Sequence, residues 1–398
     1  MNKIKISIFC SVFVAMLGLM LIAPIMPSLI RELGLQEIHS GFIISLGSVA
    51  MAVMAPLWGR WSDRKGRKLV ILIGFAGMSI SCLLFTLVLY SGLQAWLGGT
   101  LLVVLLIVTR ALVGACIPAI LSPSQAYMSD VTSEQERSSG MAVIGAANGM
   151  GLIFGPATAG AFIWIGLLWP LYFGIVLAAA AFLMVLWMMP PAPAPVRNGK
   201  PAAIRMLQPG LRFYLLTGLS TMIGIVTLQV IGGFYFQDQL QLSATATAQM
   251  VSAGLMFSGV AMLIMQIVQM RWLHWNPVCM VAVGGVLMLL GIVCFVIGRQ
   301  AMVYDLAFFL FGLGAGLLMP GFMAGASLSV RAEQQGSAAG FVAMMQGIAA
   351  IIAPLLSTLL YEVNRYIPFM LIGGLLIIVL IAVAGVWRRS AQQQTATR

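Results

Sequence analysis

The stretch "GRWSDRKGRK", residues 59–68, gathers six charged side chains (Arg60, Asp63, Arg64, Lys65, Arg67 and Lys68) from a chain that has only 21 basic and 10 acidic residues. An apolar run ends just before the knot at Trp58, and another starts just after it at Leu69. Charged residues make up 8% of the chain, against about 25% in an ordinary soluble domain. Hydrophobic residues reach 61% and the mean hydropathy is +1.04. A water-soluble fold of this composition would expose apolar surface on a scale that drives association. The composition therefore predicts a lipid solvent.

A basic knot between two apolar runs is the pattern of a short loop joining two membrane helices. Crossing ~30 Å of hydrocarbon takes about 20 residues of helix. Twelve stretches of sufficient length can be marked, at 5–30, 40–61, 69–90, 97–122, 138–164, 166–189, 211–236, 244–270, 277–298, 301–329, 336–361 and 366–388. Backbone amides in lipid must bond to one another, so these are predicted helices of an all-α membrane protein. The opening "MNKIK" and the run after it resemble a signal peptide. The run continues without a small-x-small cleavage site where one belongs, and reads as an uncleaved first helix.

Lys and Arg set the expected orientation. With the N-terminus in the cytoplasm, 17 of the 21 bases fall on the cytoplasmic side; Arg31, Arg299 and Arg365 lie on the other, and Arg110 lies within a span. Both termini are thus expected in the cytoplasm of a bacterial cell, with the chain in the inner membrane. The net charge of +11 follows this topology rather than the single basic face of a nucleic-acid binder. The five cysteines all sit inside apolar runs without a CxxC pair, and His39 and His274 are far apart, so no metal site is indicated. No nucleotide-binding P-loop or GxSxG is present, so neither an enzyme nor an ATP-driven pump is expected, and no cofactor.

The proline-rich segment "PPAPAPVRNGKPAAIR" separates six spans from six. It divides the chain into a bundle over 1–189, a cytoplasmic linker over 190–210, a second bundle over 211–390 and a tail over 391–398. The halves echo each other at a shift of 200: Gly114 meets Gly314, Gly140 meets Gly340, and Pro156 falls within two residues of Pro354. A doubled six-helix unit is the architecture of many secondary transporters.

Four motifs carry a specific resemblance. "GRWSDRKGRK" resembles the signature loop between the second and third helices of the major facilitator superfamily, with Gly59 and Gly66 framing it. "RALVGA" resembles that family's embedded arginine motif in the fourth helix, at Arg110 and Gly114. "GAANGMGLIFGPATAG" resembles the glycine-proline motif of exporters in the fifth, at Gly145, Gly149, Gly151, Gly155, Pro156 and Gly160. "APIMP" at 23–27 resembles the first-helix proline signature. The chain looks most like the twelve-helix drug/proton antiporters, over essentially its whole length.

Asp63 and Arg67 are four apart, so a helical turn at the end of the second span would bring them together. The resemblance implies that Arg67 also meets Asp130 at the foot of the fourth helix. It further implies that Asp63 faces the start of the eleventh helix, whose N–H groups would stabilise an acid by ~0.3–1 kcal/mol. The knot then reads as an interdomain latch; plain positive-inside anchoring is the alternative for Arg64, Lys65 and Lys68. Arg110 costs at least ~2.5 kcal/mol within a membrane, and reads either as a coupling residue or as a structural arginine bonded to carbonyls. The fifth-helix glycines are expected to lie against a neighbour, the eighth helix in the other half, and Pro156 to bend its span. Asn148, Gln229, Gln266, Gln269 and Gln346 are the polar candidates for a central cavity, within an adaptable wall of Met and Phe.

One departure from the family pattern stands out. Many of these antiporters carry an acid in the middle of the first helix, and here that span is uncharged until Arg31 and Glu32. The remaining coupling candidates are Asp305, just inside the tenth span, and Asp130. The expected function is proton-coupled export of drug-like or amphipathic molecules by a monomer. A dedicated metabolite exporter, for example of a siderophore, is the alternative. A membrane sensor or scaffold is a third.

Overall fold

A computed structural model describes residues 3–132, 137–190, 208–273, 275–331 and 334–396. Among these residues, twelve helical segments are long and apolar enough to cross a membrane. The all-α, twelve-span expectation holds. The helices are α1 (Lys3–Met20), α2 (Met26–Glu32), α3 (Glu37–Lys65), α4 (Arg67–Leu93), α5 (Gly99–Cys116), α6 (Pro118–Asp130), α7 (Arg137–Ile163), α8 (Trp169–Met188), α9 (Pro209–Leu240), α10 (Ala244–Val268), α11 (Pro277–Ile297), α12 (Ala301–Leu328), α13 (Gln335–Val363) and α14 (Ile367–Ala396). Most of the predicted linker, 191–207, lies outside the described residues. Positions 391–396, read from sequence as a tail, continue α14.

Prolines decide where spans break. The first predicted span, 5–30, is divided: α1 stops at Met20 and α2 resumes at Met26. Pro24 has no N–H to bond the Met20 carbonyl, and that carbonyl instead accepts from Ala23 N at 3.3 Å in a tighter, three-residue turn. The fourth span is divided just before Pro118, where Ile117 N still bonds the Val113 carbonyl at 3.3 Å. There the Trp58 indole Nε1 donates to the Ala115 carbonyl at 2.7 Å, tying α3 to the break. Pro156 behaves differently: α7 runs through it without interruption from Arg137 to Ile163.

The chain forms two compact units. One is Met1–Asn198 together with Gln229–Met256; the other is Gly199–Leu228 together with Phe257–Arg398. In the first, α1 packs on α7 and α8, α3 on α5 and α6, and α4 on α5, α6 and α8, over a core that includes Phe75, Met78, Tyr127 and Ile144. In the second, α11 packs on α12 and α14, and α13 touches both α12 and α14. The residues 229–256, second-half in sequence, belong in space with first-half helices.

Lipid supplies no hydrophobic force between helices, so close backbone approach through small residues holds them together. A β-carbon on Gly114 would stand 2.1 Å from the Gly47 carbonyl oxygen, which fixes the crossing of α5 on α3. The equivalent crossing in the second unit uses Gly312, where a β-carbon would stand 2.2 Å from the Ser258 carbonyl of α10. Gly314, the residue that a shift of 200 aligns with Gly114, faces Gly284 and Met288 of α11 instead. The crossing is repeated, with its register displaced by two residues along α12 from the shift of 200.

Gly114→Ala and Gly312→Ala are therefore expected to destabilise by overpacking, each by about 1–3 kcal/mol. Gly145→Ala, where a β-carbon meets nothing within 4 Å, should be neutral or slightly stabilising. Thermal midpoints of the purified protein in detergent measure the difference, and equal midpoints for all three would refute the crossings.

Candidate functional site

The charged knot folds as a broken corner. α3 ends at Lys65 and α4 begins at Arg67, with Gly66 between them at φ +93°. Only glycine adopts that conformation without strain. Asp63 and Arg67 do pair, as the four-residue spacing predicts. They do so across this corner and not along one continuous helical turn. Nothing in the packing requires glycine at position 59, where a β-carbon would meet open space.

The corner drives Arg67 inward. Its side chain is only 2% exposed, yet it carries a full charge, and three groups satisfy it. Nη1 donates to the Ser62 hydroxyl at 2.7 Å and to the Asp63 carboxylate, and Nε donates to Asp130 Oδ2 at 3.1 Å. Asp130, at the last turn of α6, is 9% exposed, whereas Asp63 is 57% exposed. Asp130 thus anchors a buried cation, and Asp63 presents the rest of its carboxylate outward. Lys68 caps a different helix, donating from Nζ to the Leu186 carbonyl of α8 at 2.8 Å.

Arg110 stands alone by comparison. It is 7% exposed on α5, and its Nε has no hydrogen-bond partner among the described residues. A β-carbon on Gly47 would lie 3.2 Å from its Cγ, so the glycine that lets α3 and α5 cross also makes room for the arginine. Its electrostatic neighbour is the Cys82 thiol on α4 rather than a carboxylate.

The fifth-span glycines face a different neighbour from the one expected. β-Carbons on Gly151 and Gly155 would collide with Met16 and Met20 of α1, at 2.5 Å each. Gly160 does meet the eighth span, with a β-carbon placed 2.9 Å from that of Ser252. The reason is helical phase. Residues 151, 155 and, one turn on, 159 share the face that α1 covers, and 160 has rotated off it. Pro156 is buried beside Gly155, and Gly149 is partly buried. Asn148, Gln229, Gln266, Gln269 and Gln346 are all partly buried on α7, α9, α10, the turn after α10 and α13, respectively. Asn148 and Gln229 belong to the first unit, and Gln266, Gln269 and Gln346 to the second. Asp305 is exposed near the start of α12, so any desolvation of it comes from the bilayer and not from protein.

A second ion cluster was not foreseen. Arg31, read from sequence as one of three outer-face bases, donates to Asp238 through both terminal nitrogens (2.5 and 2.9 Å) and to Glu37 through Nε and Nη2 (3.2 and 2.7 Å). Burial works against the guanidinium charge, but the hydrogen bonds and charges of the two acids more than offset it, and its pKa stands above the ordinary arginine value. The guanidinium also covers the Phe234 ring, 5.2 Å from its centroid. Arg31 and Asp238 are 207 positions apart, and a single sequence offers no signal for so distant a pair.

Comparison with known proteins gives this arrangement a family. The Major Facilitator Superfamily profile matches residues 8–354. Multidrug resistance protein 1 of Bacillus subtilis (strain 168) is 23% identical over 395 residues, 97% of either chain. The quinolone resistance protein NorA of Staphylococcus aureus (strain COL) is 20% identical over 389 residues, 94% of either chain. The class D tetracycline resistance protein of Salmonella ordonez is 31% identical over 238 residues, 58% of this chain and 56% of its own. Among solved structures, a mutant of the nucleoside transporter NupG superimposes with a TM-score of 0.77 at 12% identity, covering 96% of this chain and 99% of the other. The human organic anion transporter MFSD10 does so with a TM-score of 0.66 at 19% identity, with the same coverage. Those two likenesses speak to the fold. The profile match spans most of the chain: it belongs to the major facilitator superfamily, as a multi-pass membrane transporter of small molecules.

Proposed function

We propose that the chain exports drug-like or amphipathic molecules across a bacterial inner membrane, by alternating access driven by proton antiport. The relatives carry the substrate part of this reading: the multidrug, quinolone and tetracycline resistance proteins share its length or much of it. The observation that carries the mechanism is the division of labour around Arg67. Asp130 and Ser62 satisfy the buried cation from within the first unit, and the half-exposed Asp63 carboxylate retains acceptor sites for another partner. In this reading the partner is the N-terminal end of α13, where the positive end of the helix dipole favours an acid. The contact forms when the cytoplasmic side is closed and parts when it opens.

Arg110 and Asp305 take the coupling roles. Asp305 exchanges protons from the outer end of α12, and Arg110 senses the charge state of the cavity lined by Asn148, Gln229, Gln266 and Gln346. A potential of 100 mV supplies ~2.3 kcal/mol per charge moved, enough for roughly fiftyfold accumulation. One observation favours a second reading, a dedicated exporter of a neutral or anionic metabolite. All ten acids of the chain lie at or near the ends of spans, so the mid-membrane charge is the cation Arg110 alone.

The latch makes a prediction that separates stability from turnover. Asp130→Asn weakens a charge-assisted bond to a buried arginine and should cost roughly 2 kcal/mol of stability. Asp63→Asn removes a mostly exposed partner and should cost less than about 1 kcal/mol, while impairing turnover far more than Lys65→Gln does. Thermal midpoints and transport rates of the three variants test this; equal turnover loss at 63 and 65 leaves only topological charge.

Everted membrane vesicles test the function itself. A drug panel and a metabolite panel, each with and without an imposed proton gradient, should show gradient-driven accumulation of one class. Asp305→Asn is expected to abolish gradient-driven accumulation by at least roughly tenfold while sparing downhill exchange, and Arg110→Ala to damage both. Undiminished concentrative uptake by Asp305→Asn vesicles would remove proton coupling at that residue.

A further inference from the structure

The Arg31 cluster has an unusual stoichiometry: one cation serves two anions. Glu37 opens α3 only six positions after Arg31, beyond a tight turn in which Gly34 sits at φ +67°. It stays within reach of Arg31 whatever the later helices do. Asp238 comes from the last turns of α9 and reaches Arg31 from a segment that is second-half in sequence. The same seam contains no covalent link. The Ser28 hydroxyl donates to the Ala244 carbonyl at 3.0 Å, and Pro27 sits where a β-carbon on Gly233 would come within 2.6 Å. Residues 27–31 thus meet residues 233–244 through one forked ion pair, hydrogen bonds from Ser28 to Ala244 and from Arg31 Nη1 to Gln237 Oε1 (3.4 Å), the Arg31–Phe234 stack and the Pro27 ring packed on Gly233.

An ion pair that must break repeatedly meets a specific difficulty. If Arg31 had Asp238 as its sole partner, separation would leave a partly buried cation unpaired, which is costly. With Glu37 already bound, separation only returns Arg31 to a one-to-one pair and parts it from Asp238. Glu37 also withdraws positive charge from Arg31 while the seam is closed, which weakens its hold on Asp238. We propose that Arg31 is the hinge of an outer gate, shared between a permanent partner, Glu37, and a releasable one, Asp238, so that the seam opens by exchanging partners instead of abandoning the cation. The proposal rests on the alternating-access reading and on the orientation that places this seam outside.

The sharing arrangement makes a prediction that a simple structural bracket does not. The two carboxylates should act with opposite sign. Asp238→Asn removes the closing bond and favours the open seam. Glu37→Gln leaves Arg31 committed to Asp238 and favours the closed one. Arg31→Gln leaves two acids facing each other and should open the seam at least as much as Asp238→Asn.

The reporter is Ser28→Cys, at a position that is fully buried in the closed seam, in a chain whose native Cys10, Cys82, Cys116, Cys279 and Cys294 have been replaced by Ala. Its alkylation by a membrane-impermeant maleimide is timed in intact cells and in everted vesicles, with the rate in dodecyl sulfate as the unfolded ceiling. We expect Asp238→Asn to react about fivefold faster than the parent, in line with a partly exposed ion pair, and Glu37→Gln to react more slowly. Slower reaction cannot come from misfolding, so the Glu37 arm carries the proposal even where another variant folds poorly. Glu37→Gln reacting faster, alongside Asp238→Asn, would mean a structural bracket and overturn the proposal, as would equal rates throughout. The expected order appearing only in everted vesicles would sustain the gate and overturn the orientation. A parent chain that moves no solute in the vesicle assay would remove the transport cycle independently of the gate.

Discussion

Hydrocarbon cannot hydrate charge, and the architecture follows from that constraint. A side chain that keeps its charge within the described helices must reach an end of its span or bring its own partners. Arg67 brings three, and is held almost wholly out of solvent by a corner that only Gly66 can turn. Arg31 brings two carboxylates and an aromatic face. These two clusters are where polar chemistry can hold helix ends together. Between them the helices meet largely through glycines whose missing β-carbons let backbones touch, supplemented by single hydrogen bonds such as Trp58 Nε1 to the Ala115 carbonyl and Ser79 Oγ to the Ile175 carbonyl.

The two kinds of joint have different mechanical consequences. A glycine crossing such as Gly114 on Gly47 is short-ranged and stiff, since a packed interface has few alternative arrangements. It binds α3 and α5 into a block. An ion cluster at a helix end can exchange partners with water or with another acid, so it suits a joint that opens. The clusters differ in reach as well. Every group that satisfies Arg67 comes from residues 62–130, inside one sequence half, whereas Arg31 ties residues of the first half to Asp238 of the second. The Arg67 cluster leaves part of the Asp63 carboxylate exposed, and the Arg31 cluster is a contact already made.

The sequence showed the spans because hydropathy is additive along the chain, and each span carries its own signal. The pairing of Asp63, Arg67 and Asp130 was legible from spacing and family motif together. The corner at Gly66 was not. A glycine within a charged loop reads as one of several turn residues, and only the φ angle reveals that it separates two helices. The division of the first span at residues 21–25 was written in Pro24 and Pro27, but the apolar run continues through both, and hydropathy is blind to a missing N–H. Of the fifth-span glycines, Gly160 meets the eighth span as expected, whereas Gly151 and Gly155 face α1 and Gly145 meets nothing, because composition marks a face without naming what covers it. Arg31 with Asp238 is the extreme case. Each is an unremarkable charge at a helix end, and their meeting is a property of the fold.

Arg110 gives the constraint its sharpest consequence. A guanidinium enclosed by α3, α4 and α5, with a thiol as its electrostatic neighbour and an Nε without a hydrogen-bond partner among the described residues, holds a field in a sequence with no mid-span carboxylate to offset it. Field lines from a buried charge weaken slowly in a medium of low dielectric constant. A cation entering the nearby apolar space works against that field, and an anion or a strong hydrogen-bond acceptor works with it. Helix α1, Lys3–Met20, carries no acid that would supply a counter-charge. On the proposed proton-antiport reading, coupling is then conformational, with protonation at a span end shifting the balance between closed and open seams. In such a design the coupling site and the substrate site are physically separate, and the ion clusters at the helix ends become the place where the two are joined.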